Sequence, residues 1–70
     1  MKQTLIDTQA RLGLNQAQMA VYLGVPAHTY RKWHSGERAP AAVVARLLHV
    51  LGTVEALNPA LHAHFIPDKG

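Results

Sequence analysis

Four glycines divide most of the chain into short stretches of helix-forming residues. Gly13, Gly24, Gly36 and Gly52 lie 11, 12 and 16 residues apart, and each follows such a stretch. A glycine just after a helix readily takes the left-handed conformation that ends it. The spacing therefore predicts an all-α fold, a compact bundle of four to five helices.

Other residues mark where the predicted helices begin. Asn15 and Gln18 have the spacing of a reciprocal capping pair, and Pro26 and Pro40 suit the first turn of a helix. The predicted helices are Gln3–Leu12, Gln16–Leu23, a third from Pro26 to the residue before Gly36, a fourth from Pro40 to Gly52, and a last segment over 53–66 that Thr53 caps and Asn58-Pro59 bends or restarts.

Apolar residues at helical spacing give each of the first four helices an inward side. We expect Tyr30 and Trp33 to be core anchors rather than platforms for base stacking. The other predicted inward residues are Leu5, Ile6 and Ala10 in the first helix, Met19, Ala20 and Leu23 in the second, and Val43, Val44, Leu47, Leu48 and Leu51 in the fourth.

The chain has 70 residues and no cysteine. A domain this small buries only about 60% of its unfolded surface, and disulfides and thiolate zinc sites are excluded. We therefore expect one domain over 1–70, stabilised by helix packing or dimerisation, in the cytoplasm. The N-terminus is too polar for a signal peptide, and Arg46 and Gly52 interrupt the longest apolar stretch before the roughly 20 residues that a membrane span needs.

The basic residues are concentrated in the middle of the chain. The formal net charge is +3, but residues 11–46 hold Arg11, Arg31, Lys32, Arg38 and Arg46 against Glu37 alone. The remainder is net negative, with Lys2 and Lys69 against Asp7, Glu55 and Asp68. A grouped excess of positive charge suits a polyanion such as nucleic acid, because each neutralised phosphate releases counterions. A solvated surface explains the charge equally well.

Residues 16–34 have the organisation of a helix-turn-helix: two short helices joined by a glycine-containing turn, the second with an apolar anchor opposite polar and basic residues. The stretch RLGLNQAQMAVYLGVPAHTYRKWHSGERAP resembles the XRE/Cro family of DNA-binding domains, which includes lambdoid phage repressors and small autoregulators such as antitoxins. The matching positions are Leu12, Gly13, Leu14, Asn15, Gln16, Met19, Ala20, Leu23, Gly24, Val25, Thr29, Tyr30, Trp33, Gly36 and Pro40.

Two positions depart from the family pattern. Pro26 stands where the family often has a Ser or Thr cap, and it lacks an amide that could contact phosphate. His34 stands where the family often has a Glu that ties the third helix to a basic residue of the first, where Gln9 or Ala10 now lies. We expect the connection between these helices to differ locally, and His34 either adds a pH-dependent charge near phosphate or is simply solvated.

The resemblance implies that the third helix enters the major groove and implies a role for each matching position. It assigns base edges to Ala27, His28 and Lys32, with Arg31 beside them either reading a base or contacting a phosphate. For Asn15, helix capping is at least as good an interpretation as phosphate binding. The implied phosphate contacts are Asn15, Gln16, Ser35 and Arg38, with Tyr22 as a weaker candidate.

Other chemistries have little support in the sequence. His28, His34, His49, His62 and His64 lack metal-ligand spacing, and the four acids are scattered, so we expect no metal, no cofactor and no enzyme. The expected function is sequence-specific transcriptional regulation, by a repressor or autorepressor on double-stranded DNA at a short inverted repeat. The alternative is an antitoxin-like or adaptor module that binds a protein such as a toxin.

The C-terminal segment is richer in large apolar residues than a small core needs. We interpret it as the interface of a homodimer, although ordinary covering of the core is the simpler explanation. A dimer would present two recognition helices to half-sites about 34–36 Å apart. The predicted interface residues are Leu57, Leu61, Phe65 and Ile66.

Overall fold

The computed structural model describes residues 2–67, and within them every regular element is helical. Met1 and residues 68–70 lie outside the described residues, among them Asp68 and Lys69 of the charge count. The elements are α1 Lys2–Leu12, α2 Gln16–Leu23, α3 Ala27–Ser35, α4 Ala42–Leu57 and α5 Pro59–His62, followed by a 3₁₀ turn over Ala63–Phe65. The expected all-α class is confirmed.

The two ends of α2 follow the predicted signals. The Asn15 side chain accepts a hydrogen bond from the Gln18 backbone N–H at 2.8 Å, and the Gln18 side chain accepts one from the Asn15 N–H at 2.9 Å. At the other end Gly24 has φ +76°, and its N–H donates to the carbonyls of Ala20 and Val21. The capping pair and the left-handed glycine thus set the length of α2 and the direction of the turn into α3.

The prediction that Gly52 ends the fourth helix is wrong. Helix α4 continues through Gly52 to Leu57, and Thr53 does not cap a new helix, because its hydroxyl donates to the carbonyl of His49 one turn back. An internal glycine costs a helix only about 1 kcal/mol, which the burial of neighbouring Leu51 offsets. The restart at Asn58 is confirmed: its side chain accepts from the Leu61 N–H, and Pro59 opens α5.

The core lies between α1, α2, α3 and α4. Tyr30, Leu5 and Met19 are its largest fully buried side chains. The remaining buried apolar residues are Leu14, Ala20, Tyr22, Leu23, Trp33, Val44 and Leu51. Tyr30 and Trp33 are therefore core residues, as predicted. The predictions that Ala10 and Val43 face inward are wrong, because both residues are exposed. Each lies at the outer edge of the apolar side of its helix.

Three polar contacts join helices that are distant in sequence. Arg11 of α1 forms an ion pair with Glu55 of α4 at 2.7 Å. The Tyr30 hydroxyl of α3 donates to Gln9 Oε1 of α1 at 2.7 Å. The third contact is a hydrogen bond between the Tyr22 hydroxyl of α2 and His62 Nε2 of α5. In the described part of the chain, no helix combines the length and apolarity that crossing a bilayer requires.

Candidate nucleic-acid interface

Helix α3 has one side in the core and the opposite side in solvent. Its exposed side holds His28, Arg31, Lys32 and Ser35, at the i, i+3, i+4 and i+7 positions that form one face of a helix. Ala27 is half-buried and packs against the core, so it lies at the edge of this face rather than at its centre. We call these four exposed residues the α3 face.

Two aromatic side chains and one hydrogen bond hold the α3 face outward. Trp33 and Tyr30 are buried, and the Tyr30 hydroxyl donates to Gln9 on α1. Burial raises the pKa of Tyr30, so the hydroxyl keeps the proton that it donates. Gln9 of the first helix is thus bonded to Tyr30 of the third helix and not to position 34.

The start of α2 lies beside α3. The Gln16 side-chain nitrogen is 3.5 Å from Nδ1 of His34, and both side chains are half-buried. His34 is therefore a neighbour of a predicted phosphate contact rather than an isolated surface group. Asn15 caps α2 through its side-chain oxygen, which confirms the capping interpretation and leaves its side-chain NH₂ as the group that could meet a phosphate.

The loop after α3 turns back on the last turn of the helix. Ser35 donates its hydroxyl proton to the Lys32 carbonyl at 3.2 Å and accepts from the Glu37 N–H, so that proton is already used within the loop. The Arg38 N–H also donates to the Lys32 carbonyl at 3.2 Å, while the Arg38 side chain is exposed. Of the predicted phosphate contacts Ser35 and Arg38, Arg38 is the one with charged donors in solvent.

Lys2 is a basic residue of this region that the sequence analysis missed. Its ammonium nitrogen lies 3.1 Å from the point where a Cβ on Gly36 would stand, directly at the C-terminal end of α3. The charge count had placed Lys2 in the net negative remainder of the chain. No local signal identifies it, because its position depends on how α1 packs against α3.

Arg11 and Tyr22 do not belong to this surface. The hydrogen bond from Arg11 lowers the pKa of Glu55, and the same bond raises that of Arg11, so the charge of Arg11 is paired on α4. Tyr22 is buried, and its hydroxyl is hydrogen-bonded to Nε2 of His62 at 2.7 Å. Burial, followed by the charge of Glu55, raises the pKa of Tyr22.

The predicted dimer-interface residues lie outside α3, on later parts of the chain. Leu57 at the end of α4, Leu61 in α5 and Phe65 in the 3₁₀ turn are exposed, whereas Ile66 is half-buried against the core. Among residues 2–67, no group of three or more His, Asp or Glu side chains is placed to hold a metal ion.

Comparisons of the chain with protein-family models, with curated proteins and with solved structures found no match.

Proposed function

We propose that the chain is a sequence-specific DNA-binding regulator in which α2 and α3 act as a helix-turn-helix and the α3 face enters the major groove. The observation that carries the proposal is the opposition of the two sides of α3. Tyr30 and Trp33 are buried, while His28, Arg31 and Lys32 stand together in solvent. A helix fixed on one side and carrying exposed donors on the other suits the readout of base edges.

The charge around α3 supports a polyanionic partner. Lys2 lies at the C-terminal end of the helix, Arg31 and Lys32 are on its exposed face, and Arg38 follows in the loop, which also holds the acid Glu37. Lysine and arginine side chains that meet phosphates release condensed counterions, which supplies most of the sequence-independent affinity for DNA. We therefore assign Lys2 and Arg38 to phosphates.

The specific contacts are assigned to the N-terminal and middle residues of the α3 face. Lys32 can donate to O6 and N7 of guanine, and His28 can donate or accept according to its tautomer. Arg31 is assigned either to a guanine or to a phosphate. Ala27, at the edge of the face, offers only a methyl group. The start of α2, with Gln16 and the dipole of its helix, is assigned to a phosphate.

The regulatory mechanism that we propose is occlusion. A homodimer bound to an inverted repeat in a promoter, such as that of its own gene, would block transcription and act as an autorepressor. The XRE/Cro resemblance of residues 11–40 supports this proposal, with a cytoplasmic location. Activation would require a further surface that contacts the transcription machinery.

One observation favours a second candidate, an antitoxin-like or adaptor module for a protein such as a toxin. Leu57, Leu61 and Phe65 are large apolar side chains exposed near the C-terminus. Exposed apolar groups of this kind are typical of protein interfaces. In this alternative DNA binding is secondary to the protein partner.

The test is a fluorescence anisotropy titration of DNA from upstream of the coding sequence, against scrambled DNA, at two salt concentrations. The double variant His28→Ala/Lys32→Ala should lose the preference for the upstream DNA, because both base-reading side chains are removed. Lys69→Ala is the control, since Lys69 lies outside the basic middle of the chain and its loss changes the formal charge by the same single unit. Equal weak binding of both DNAs by the unmodified protein would favour the adaptor alternative.

A further inference from the structure

Helix α4 has a line of large apolar side chains in solvent. Val43, Val50 and Leu57 are 70%, 47% and 81% exposed. They are seven residues apart, which is close to two helical turns, so they lie on one side of the helix. We call these three residues the α4 stripe.

The surroundings of the stripe make it unusual for a solvent-facing surface. Half-buried Leu47 and Val54 border it, and Leu47 packs against the core. The other exposed positions of α4 are mostly small apolar residues, and the polar ones are Arg46, His49 and Thr53. A helix on the surface of a globular protein normally carries charged and polar residues opposite its core side, whereas a helix that is apolar all round is normally covered. The α4 stripe is therefore a surface that a partner would cover.

The spacing of the stripe is symmetric about its middle residue. In an antiparallel pair of α4 helices with a two-fold axis beside Val50, Val43 of each copy meets Leu57 of the other, and the two Val50 side chains meet at the axis. A two-fold interface requires this reciprocity, in which residue i meets j and j meets i. An unrelated partner requires no such symmetry.

The charge on α4 selects the antiparallel arrangement. Arg46 lies between Val43 and Val50, so a parallel pair in register would place the two Arg46 side chains together. In the antiparallel pair each Arg46 lies opposite position 54 of the other copy. The two Arg46 residues are then about 12 Å apart along the helix axis. Glu55, the acid of α4, is already paired with Arg11 of its own chain.

We propose that the α4 stripe is a docking surface for the same stripe of a second copy, in an antiparallel, two-fold pair centred on Val50. This interface differs from one built on Leu61 and Phe65 of the C-terminal segment. It does not depend on DNA binding, so its test and the test of the proposed function can fail separately.

The first experiment is sedimentation equilibrium of the protein without DNA, over micromolar to millimolar concentration. The unmodified chain should be in monomer–dimer equilibrium, and Val43→Glu and Val50→Glu should each weaken the dimer by about 30-fold or more, because they place a carboxylate in an apolar contact. Val21→Glu is the matched control: Val21 is a valine of α2 that is 65% exposed and should leave the dimer unchanged. Circular dichroism of each variant identifies any loss of folding.

The second experiment uses the absence of cysteine from the chain. Val50→Cys should form a disulfide-linked dimer on mild oxidation, because the two-fold axis brings the two copies of position 50 together. Val21→Cys should remain a monomer on the same non-reducing gel. A monomer at every concentration, a dimer that withstands both glutamate variants, or a dimer lost only on changing Leu61 and Phe65 would overturn the proposal.

Discussion

Single buried polar contacts determine how the helices of this chain are oriented. Tyr30 is fully buried, yet it carries a hydroxyl whose partner is Gln9 on another helix. A buried hydroxyl without a partner costs more than the hydrogen bond contributes, so this pair favours one rotation of α3 over others. The same rotation keeps His28 and Lys32 in solvent.

We predict that Tyr30→Phe lowers the free energy of unfolding by about 1 kcal/mol, because the ring still fills the core while the bond to Gln9 is lost. Urea unfolding at neutral pH measures this change. Tyr30→Leu is the comparison variant, and it should cost more because it also removes ring volume. An unchanged urea midpoint in Tyr30→Phe would mean that the hydroxyl does not contribute to the orientation of α3.

The Arg11–Glu55 pair should make stability depend on pH in acid. The hydrogen bond that Arg11 donates lowers the pKa of Glu55 below the ordinary value of 4.5. The stabilisation is therefore present above about pH 4.5 and is lost as the pH falls through the lowered pKa. Both side chains are partly exposed, so we expect Arg11→Gln to cost only about 0.2–1 kcal/mol at pH 7. In urea titrations this difference should shrink as the pH falls below 4.5 and through the lowered pKa of Glu55; a difference that persists once Glu55 is protonated would exclude the ion pair as its source.

Helix ends and helix interiors use glycine differently in this chain. Gly24 has a positive φ that an L side chain rarely adopts, whereas Gly52 lies in the helical backbone of α4 with open space around it. The same residue type is thus required at one position and costly at the other.

We predict opposite effects of the two alanine substitutions. Gly52→Ala should raise the free energy of unfolding by about 0.5–1 kcal/mol, because it removes backbone freedom from the unfolded chain and its methyl meets no atom. Gly24→Ala should lower it by about 1–2 kcal/mol, because alanine is strained in the left-handed region. Thermal unfolding of both variants measures this, and destabilisation by Gly52→Ala would mean that α4 breaks at Gly52 in solution.

Local signals in the sequence predict most of these elements. The Asn15–Gln18 capping pair, the left-handed glycines and the Asn58-Pro59 restart need only neighbouring residues, and each is found where the sequence predicts it. The end of α4 is different. A glycine alone does not distinguish a helix end from a helix interior. The packing of Leu51 against the core keeps Gly52 in the interior of α4.

The basic surface depends on which helices pack together. The α3 face could be predicted from the spacing of Tyr30 and Trp33, because the inward residues of a helix determine its outward ones. The positions of Lys2 and Arg11 could not be predicted from the sequence. Their positions follow from the packing of α1 against α3 and α4, for which a single sequence contains no local signal.

We predict that Lys2 contributes to DNA affinity without contributing to specificity. Lys2→Gln should weaken binding to all sequences by a similar factor and reduce the slope of log affinity against log salt by about 0.9, the value for one phosphate contact. Lys32→Gln should in addition change the preferred sequence. Anisotropy titrations at several salt concentrations give both quantities. A slope that Lys2→Gln leaves unchanged would place the ammonium away from the phosphates.

Selection from a pool of random duplexes tests whether the α3 face reads a DNA sequence. The unmodified protein should enrich one sequence, arranged as an inverted repeat with half-sites about 34–36 Å apart. His28→Ala/Lys32→Ala should enrich no sequence or a different one. Retention of the pool without enrichment of any sequence would exclude sequence readout by the α3 face and would leave a basic surface that binds DNA without reading it.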